Sequence, residues 1–140
     1  MSELPPFHIA FPVDDIAAAR AFYTGTLGCK EGRADTTWVD FSLYGHQIVA
    51  HLVEKRDEIK GTNSVDNQQV PVPHFGVVLD WQAWTKLADQ LRRKQVDFII
   101  EPCIRFAGQP GEQATLFLRD PAGNALEFKA FRDKQQIFSK

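Results

Sequence analysis

The stretch FHIAFPVDD near the N-terminus returns later as PHFGVVLDW. His8 falls on His74, Ala10 on Gly76, Asp14 on Asp80 and Arg20 on Lys86, all at one constant offset. A duplicated unit seldom buries its core alone, so the related halves are expected to pack together about a pseudo-twofold axis. The chain has 140 residues, enough for one well-buried core and short for two independent domains. The choice narrows to folds built from two like modules.

Each half can be read from its periodicity. Residues 7–13 alternate Phe7, Ile9, Phe11 and Val13 with His8, Ala10 and Pro12, the period of a half-buried strand. Asp14 and Asp15 then offer a cap and a negative first turn. Ile16, Ala19, Tyr23 and Leu27 recur at helical spacing until Gly28 stops the helix. Two β-rich runs, 37–44 and 47–53, flank Gly45-His46, which reads as a hairpin turn. Polar residues 54–73 read as an irregular linker or a functional loop. The second half opens with VPHFGVVLD as a strand and WQAWTKLADQLRRKQ as a helix, with Trp84, Leu87, Ala88 and Leu91 as its apolar stripe. Strands at about 96–101, 114–119 and 125–131 complete it, with RFAGQPGEQ a Gly/Pro-rich loop and DPAGN a turn. Each half therefore reads strand, helix, three strands. Module one covers about 6–53, a linker 54–73, module two about 74–131 and a tail 132–140. The fold class is α+β: two βαβββ modules forming a half-open curved sheet about a pseudo-twofold, with helices on the convex side.

Composition excludes several classes of function. A net charge of −2 and a pI near 6.1 provide no basic stripe for nucleic acid. No run approaches the roughly 20 apolar residues that cross a bilayer, and MSELPPFHIAF lacks the features of a signal peptide. No membrane partner and a cytoplasmic location are expected. Cys29 and Cys103 are too few for a disulfide scaffold and read as structural thiols. A small molecule is the expected partner.

The repeat also aligns potential metal ligands. VAHLVEK laid over ALEFKAF sets His51 on Glu127. Alternation sends His8, His74, His51 and Glu127 to the polar, concave side of their strands while Ile9, Phe75, Leu52 and Phe128 face the helices. Four potential ligands then converge. Ala10 and Gly76, small and on the same face, leave room for a bound molecule. Glu112 and Gln113, just after the Gly/Pro-rich loop, are candidates for hydrogen bonds to a substrate. Arg105 reads as an exposed loop residue, or as a cation for an anionic substrate, and His46 as a solvent-exposed turn residue.

The segments FHIAFPVDDIAAARAFYTGTLG, PHFGVVLD and FLRDPAGNALEFKAF carry a likeness that covers about residues 6–131. Together they resemble the vicinal oxygen chelate superfamily of glyoxalase I, extradiol dioxygenases and antibiotic-resistance proteins, nearest to small single-chain predicted extradiol-type dioxygenases. The resemblance implies a metal held by His8, His74 and Glu127. Many glyoxalases add a fourth ligand, commonly glutamate, where this chain has His51; His51 is then a fourth ligand or the catalytic acid–base group. Two histidines and one carboxylate favour Fe(II) as the single divalent ion, with zinc, nickel or manganese as alternatives. The implied activity is ring-cleaving, extradiol-type dioxygenation of a substrate that chelates the metal through adjacent oxygens. The alternatives are a glyoxalase-like isomerase or lyase and a metal-free drug-binding protein. A homodimer is implied as well.

Overall fold

The computed structural model describes residues 4–54, 61–65 and 67–140. The chain divides into two compact units, Met1–Glu58 with Asp120–Asn124, and Ile59–Arg119 with Ala125–Lys140.

In the first unit, β1 (His8–Val13), β2 (Lys30–Ala34), β3 (Trp38–Leu43) and β4 (His46–Leu52) form a sheet in the order β1-β4-β3-β2. β1 runs parallel to β4 and the other pairs are antiparallel. The expected alternation holds on β1, where Phe11 and Val13 are buried and His8 and Ala10 are exposed. Asp15 caps α1 (Ile16–Arg20), accepting a hydrogen bond from the Ala18 amide at 3.0 Å. The helix does not continue regularly to Leu27 as its spacing suggests. It widens into a π-helical turn, Ala21–Thr26, that carries the fully buried Tyr23. The Tyr23 ring stacks on Phe41 at 5.1 Å and meets Phe22 edge-on at 4.9 Å.

A turn distant in sequence completes this unit. The Tyr23 hydroxyl donates to Asp120 Oδ2 at 2.8 Å, and Asp120 Oδ1 accepts from the amides of Ala122 and Asn124. Asn124 Nδ2 donates to the Pro12 carbonyl at 2.8 Å. The segment read as a plain turn, DPAGN, is thus a buried polar clasp. Burial, and then the Asp120 charge, hold the Tyr23 hydroxyl well above its usual range, so it remains a donor.

In the second unit, β7 (His74–Val78), β8 (Phe98–Arg105), β9 (Gln113–Arg119) and β10 (Ala125–Phe131) form a sheet in the order β7-β10-β9-β8. Here β7 is parallel to β10. The predicted stripe Trp84, Leu87, Ala88 and Leu91 is the buried face of α2 (Trp81–Arg93), which packs on β9 and β10. Leu87 and Leu91 each contribute about 1.5–3 kcal/mol by burial, and Trp84 Nε1 donates to the Phe128 carbonyl at 2.8 Å. Both modules have the βαβββ order, so the chain is α+β in class.

Several local expectations need correction. The strand of module one that the sequence reading did not locate is β2, an exposed, charged segment without alternation. The hairpin turns at Tyr44-Gly45, both with positive φ as a tight two-residue turn requires, which makes His46 the first residue of β4. His46 is half-buried, its Nδ1 accepting from the Phe7 amide at 2.8 Å. Stretch 54–73 is not irregular throughout; β5 (Thr62–Val65) and β6 (Gln68–Pro71) form an antiparallel hairpin. Among the described residues, no helix is long and apolar enough to cross a membrane.

Candidate metal-binding site

Strand pairing brings two of the predicted ligands together. His74 opens β7 opposite Ala125, and Glu127 lies two residues on, opposite Gly76. Because side chains alternate, His74, Gly76 and Glu127 project from one face, along with Thr115, Phe117 and Lys129. His74 Nε2 lies 3.1 Å from Glu127 Oε1. His74 Nδ1 is 2.7 Å from the Pro71 carbonyl, which accepts its proton, while Nε2 faces the Glu127 carboxylate. Glu127 Oε2 accepts the Thr115 hydroxyl at 2.5 Å and has Lys129 Nζ at 3.9 Å.

The electrostatics suit a charged pair. The hydrogen bond to Glu127 raises the His74 pKa, burial opposing it and the Pro71 carbonyl adding to it. Burial alone would push Glu127 up, yet the hydrogen bonds from His74 and Thr115, with the Lys129 charge, bring it below the ordinary carboxylate value. His74 and Glu127 border a small cavity of about 190 Å³, lined also by Gly76, Val78 and Lys129. A larger groove of about 520 Å³ follows the outer face of α2 past Trp81, Lys86 and Arg93, with neither His74 nor Glu127 in its lining.

Gly76 is small for a reason other than ligand space. A Cβ built on it would lie 1.5 Å from the Glu127 carbonyl oxygen, so close approach of β7 to β10 requires glycine there.

In the first unit, His8 opens β1 as His74 opens β7, and it is held the same way. Its Nδ1 is 2.8 Å from Gln47 Oε1, and Gln47 Nε2 in turn donates to Asp40 at 3.3 Å. Both histidines therefore have Nδ1 against an oxygen, and His74 Nε2 is turned to Glu127. His51 differs from the expected pairing with Glu127. His8 lies opposite Gln47 and His51 opposite Pro12, so the residue matching Glu127 is Val49 and the one matching His51 is Lys129. Four residues separate His8 from the strand position beside His51, about 13 Å along the sheet at roughly 3.3 Å per residue. Side chains standing perpendicular to one sheet at that spacing do not share an ion, so His8 and His51 are not ligands of the same one.

Nor do Glu112 and Gln113 present free groups to a substrate. Glu112 Oε1 accepts from the Gly108 amide at 2.8 Å and Oε2 from Arg132 at 3.1 Å, bonds that lower its pKa and pin the loop before β9. Gln113 is buried at the start of β9 and donates to the Gly111 carbonyl at 3.2 Å. Sequence reasoning passed over Thr115 and Lys129, although each lies on the Glu127 face by simple alternation along its strand. Arg105, expected in a loop, is the buried last residue of β8.

Within the second unit, His74 and Glu127 are donor types that suit a divalent ion. Each imidazole has its distal nitrogen oriented by an acceptor on the other, and the carboxylate is fixed by a hydroxyl, the outer support that metal ligands ordinarily have. Among the described residues, no group of three or more His, Cys, Asp or Glu side chains is gathered to hold a metal.

Residues 6–128 match the glyoxalase/bleomycin resistance protein/dioxygenase superfamily. The chain belongs to this superfamily. Among solved structures, a glyoxalase/bleomycin resistance protein/dioxygenase from Alicyclobacillus acidocaldarius is 30% identical, with 96% of each chain covered and a TM-score of 0.82. The fosfomycin resistance protein FosX from Listeria monocytogenes shares the superfamily fold at 15% identity, covering 98% of this chain and 99% of its own, with a TM-score of 0.69. Lactoylglutathione lyase from Agrobacterium tumefaciens shares it at 16% identity over the whole of both chains, with a TM-score of 0.66. No curated protein matches the chain.

Proposed function

We propose that this superfamily member is an enzyme using one divalent metal, Fe(II) by preference, to cleave a ring that chelates the ion through adjacent oxygens. The observation that carries the reading is the pair His74–Glu127, an imidazole held through Nδ1 with its Nε2 against a fixed carboxylate, together with His8 held through Nδ1 at the matching position of the first unit. Val49 stands where a fourth ligand from module one would be. That leaves two histidines and one carboxylate, the set associated with non-haem Fe(II) oxygenases.

His74 and Glu127 hold the ion in this reading, and His8 completes the set from a second copy of the chain, which makes a homodimer the working form. Bound there, the ion supplies open positions to a substrate's neighbouring oxygens and the electrons that activate dioxygen. Thr115 keeps Glu127 oriented, and the hydrogen bonds from His74 and Thr115, with the Lys129 charge, keep it ionised. His51 lies on the same face as His8 but four strand positions along the sheet, and this reading gives it no part at the ion.

Oxygen uptake by anaerobically purified, iron-loaded protein with a panel of catechols tests the reaction. Uptake with the appearance of ring-opened product is expected. Turnover of a hemithioacetal under nitrogen, with no uptake across the panel, would replace oxygenation by isomerase chemistry. Mixing inactive His8→Ala and Glu127→Ala chains tests the shared site. Activity returns if one copy completes the other, and stays absent if it does not.

A further inference from the structure

One buried cation in the second unit has no part in the metal chemistry. Arg105 is opposite Gln113 at the end of β8, and its side chain shares the face that carries Thr115, Phe117 and Glu127. It is only 6% exposed. Burying a guanidinium is costly unless an anion or several good acceptors receive it. Among the described residues its polar partner is one neutral atom: Gln68 Oε1 accepts from Nε at 3.1 Å and from Nη2 at 2.8 Å. None of the ion pairs among the described residues includes Arg105. It also lies over a ring face, with Cζ 5.6 Å from the centroid of Phe117.

The arrangement has two properties of an anion seat. Nε and Nη2 form the fork that receives both oxygens of a carboxylate, and a single amide oxygen now stands in it. Exchanging that neutral oxygen for a carboxylate turns ordinary hydrogen bonds into charge-assisted ones. The seat is also close to the ligands, because Phe117 has the His74 imidazole against it at 4.9 Å while Arg105 lies over its face. One phenyl ring separates the cation from the metal-binding histidine.

We infer that the substrate carries a carboxylate, which Arg105 receives in place of Gln68 while the chelating oxygens lie toward His74 and Glu127. The substrate class is a small aromatic acid, about one ring long between its two anchoring ends. This inference rests on the proposed metal chemistry for the far end of the substrate, but its test does not.

The test is calorimetric titration of metal-free protein with phenylacetate and with phenylacetamide, which differ in charge and cannot chelate. Wild-type protein is expected to favour the acid by about tenfold or more, the size of one charge-assisted fork. Arg105→Gln removes the preference while the thermal midpoint holds. Equal binding of the two probes by wild type, no binding of either, or a preference retained in Arg105→Gln overturns the inference. Should Arg105→Gln fail to fold, Arg105→Lys decides: it retains charge without the fork, so a preference reduced several-fold supports the seat and an undiminished one overturns it. Because no metal is present, absent oxygen uptake would count against the ring-cleaving reaction and leave this result standing.

Discussion

His74 and Glu127 meet through one contact, Nε2 to Oε1 at 3.1 Å, and each is fixed from behind by an atom of another strand: the Pro71 carbonyl for the imidazole, the Thr115 hydroxyl for the carboxylate. A pair supported in this way has a defined response to substitution and to pH.

Thr115 is a positioning residue. Thr115→Val keeps the shape and removes the hydroxyl, so Glu127 loses one of the bonds that orient it. Metal affinity is expected to fall about 10–100-fold, the usual cost of losing an outer-shell partner. Competitive titration with a chelating indicator measures this, and Thr115→Ser restores most of the affinity. A purely structural threonine would lower the thermal midpoint and leave affinity unchanged.

The pair also predicts how stability depends on pH in metal-free protein. His74 has its folded pKa raised above 6.5, so its contribution is fully present below 6.5 and is lost as pH rises through the raised value. Glu127 has its folded pKa lowered below 4.5, so its contribution is present above 4.5 and is lost as pH falls through the lowered value. The difference in urea midpoint between wild type and His74→Gln should therefore be greatest between pH 4.5 and 6.5. Metal must displace the His74 proton, so affinity rises as pH increases through that raised value.

Gly76→Ala tests the close approach of β7 to β10. The added methyl would overlap the backbone of Glu127, a contact that no side-chain rotation relieves. A loss of about 3 kcal/mol or more is expected by chemical denaturation, with loss of bound metal at the same time. The matching Ala10→Gly change on β1, where alanine is exposed, should cost about 1 kcal/mol or less.

Tyr23→Phe removes the hydroxyl that joins the π-helical turn to Asp120 and leaves a buried carboxylate oxygen one donor short. Stability should drop by about 1–3 kcal/mol, with metal affinity unaffected. Denaturant melts and metal titration on the same variant separate the two effects.

Much of this was legible in the chain because the signals are local. Alternation around His8 and the stripe from Trp84 to Leu91 each arise from one element packing on one neighbour. The errors came where the outcome depends on pairing between distant segments. Laying VAHLVEK over ALEFKAF gave His51 the place that belongs to Val49, because register is set by the facing strands, His8 against Gln47 and His74 against Ala125, which no single segment encodes. Arg105 was misplaced for a related reason: register shifts between Phe98 and Cys103 break the period of β8, so alternation no longer tells which face its last residue takes. Strand β2 lacks a buried alternating face, and the pairing with β3 alone defines it. Thr115 reads as an ordinary strand residue until Glu127 is set beside it.

The most direct test is the metal content of protein purified without oxygen, loaded with Fe(II) and freed of excess ion, measured for wild type and for His8→Ala, His74→Ala and Glu127→Ala. The account predicts about one ion per chain in wild type and a small fraction of that in each variant, all of them folded. Wild type that holds no ion, or variants that hold as much as wild type, would contradict it.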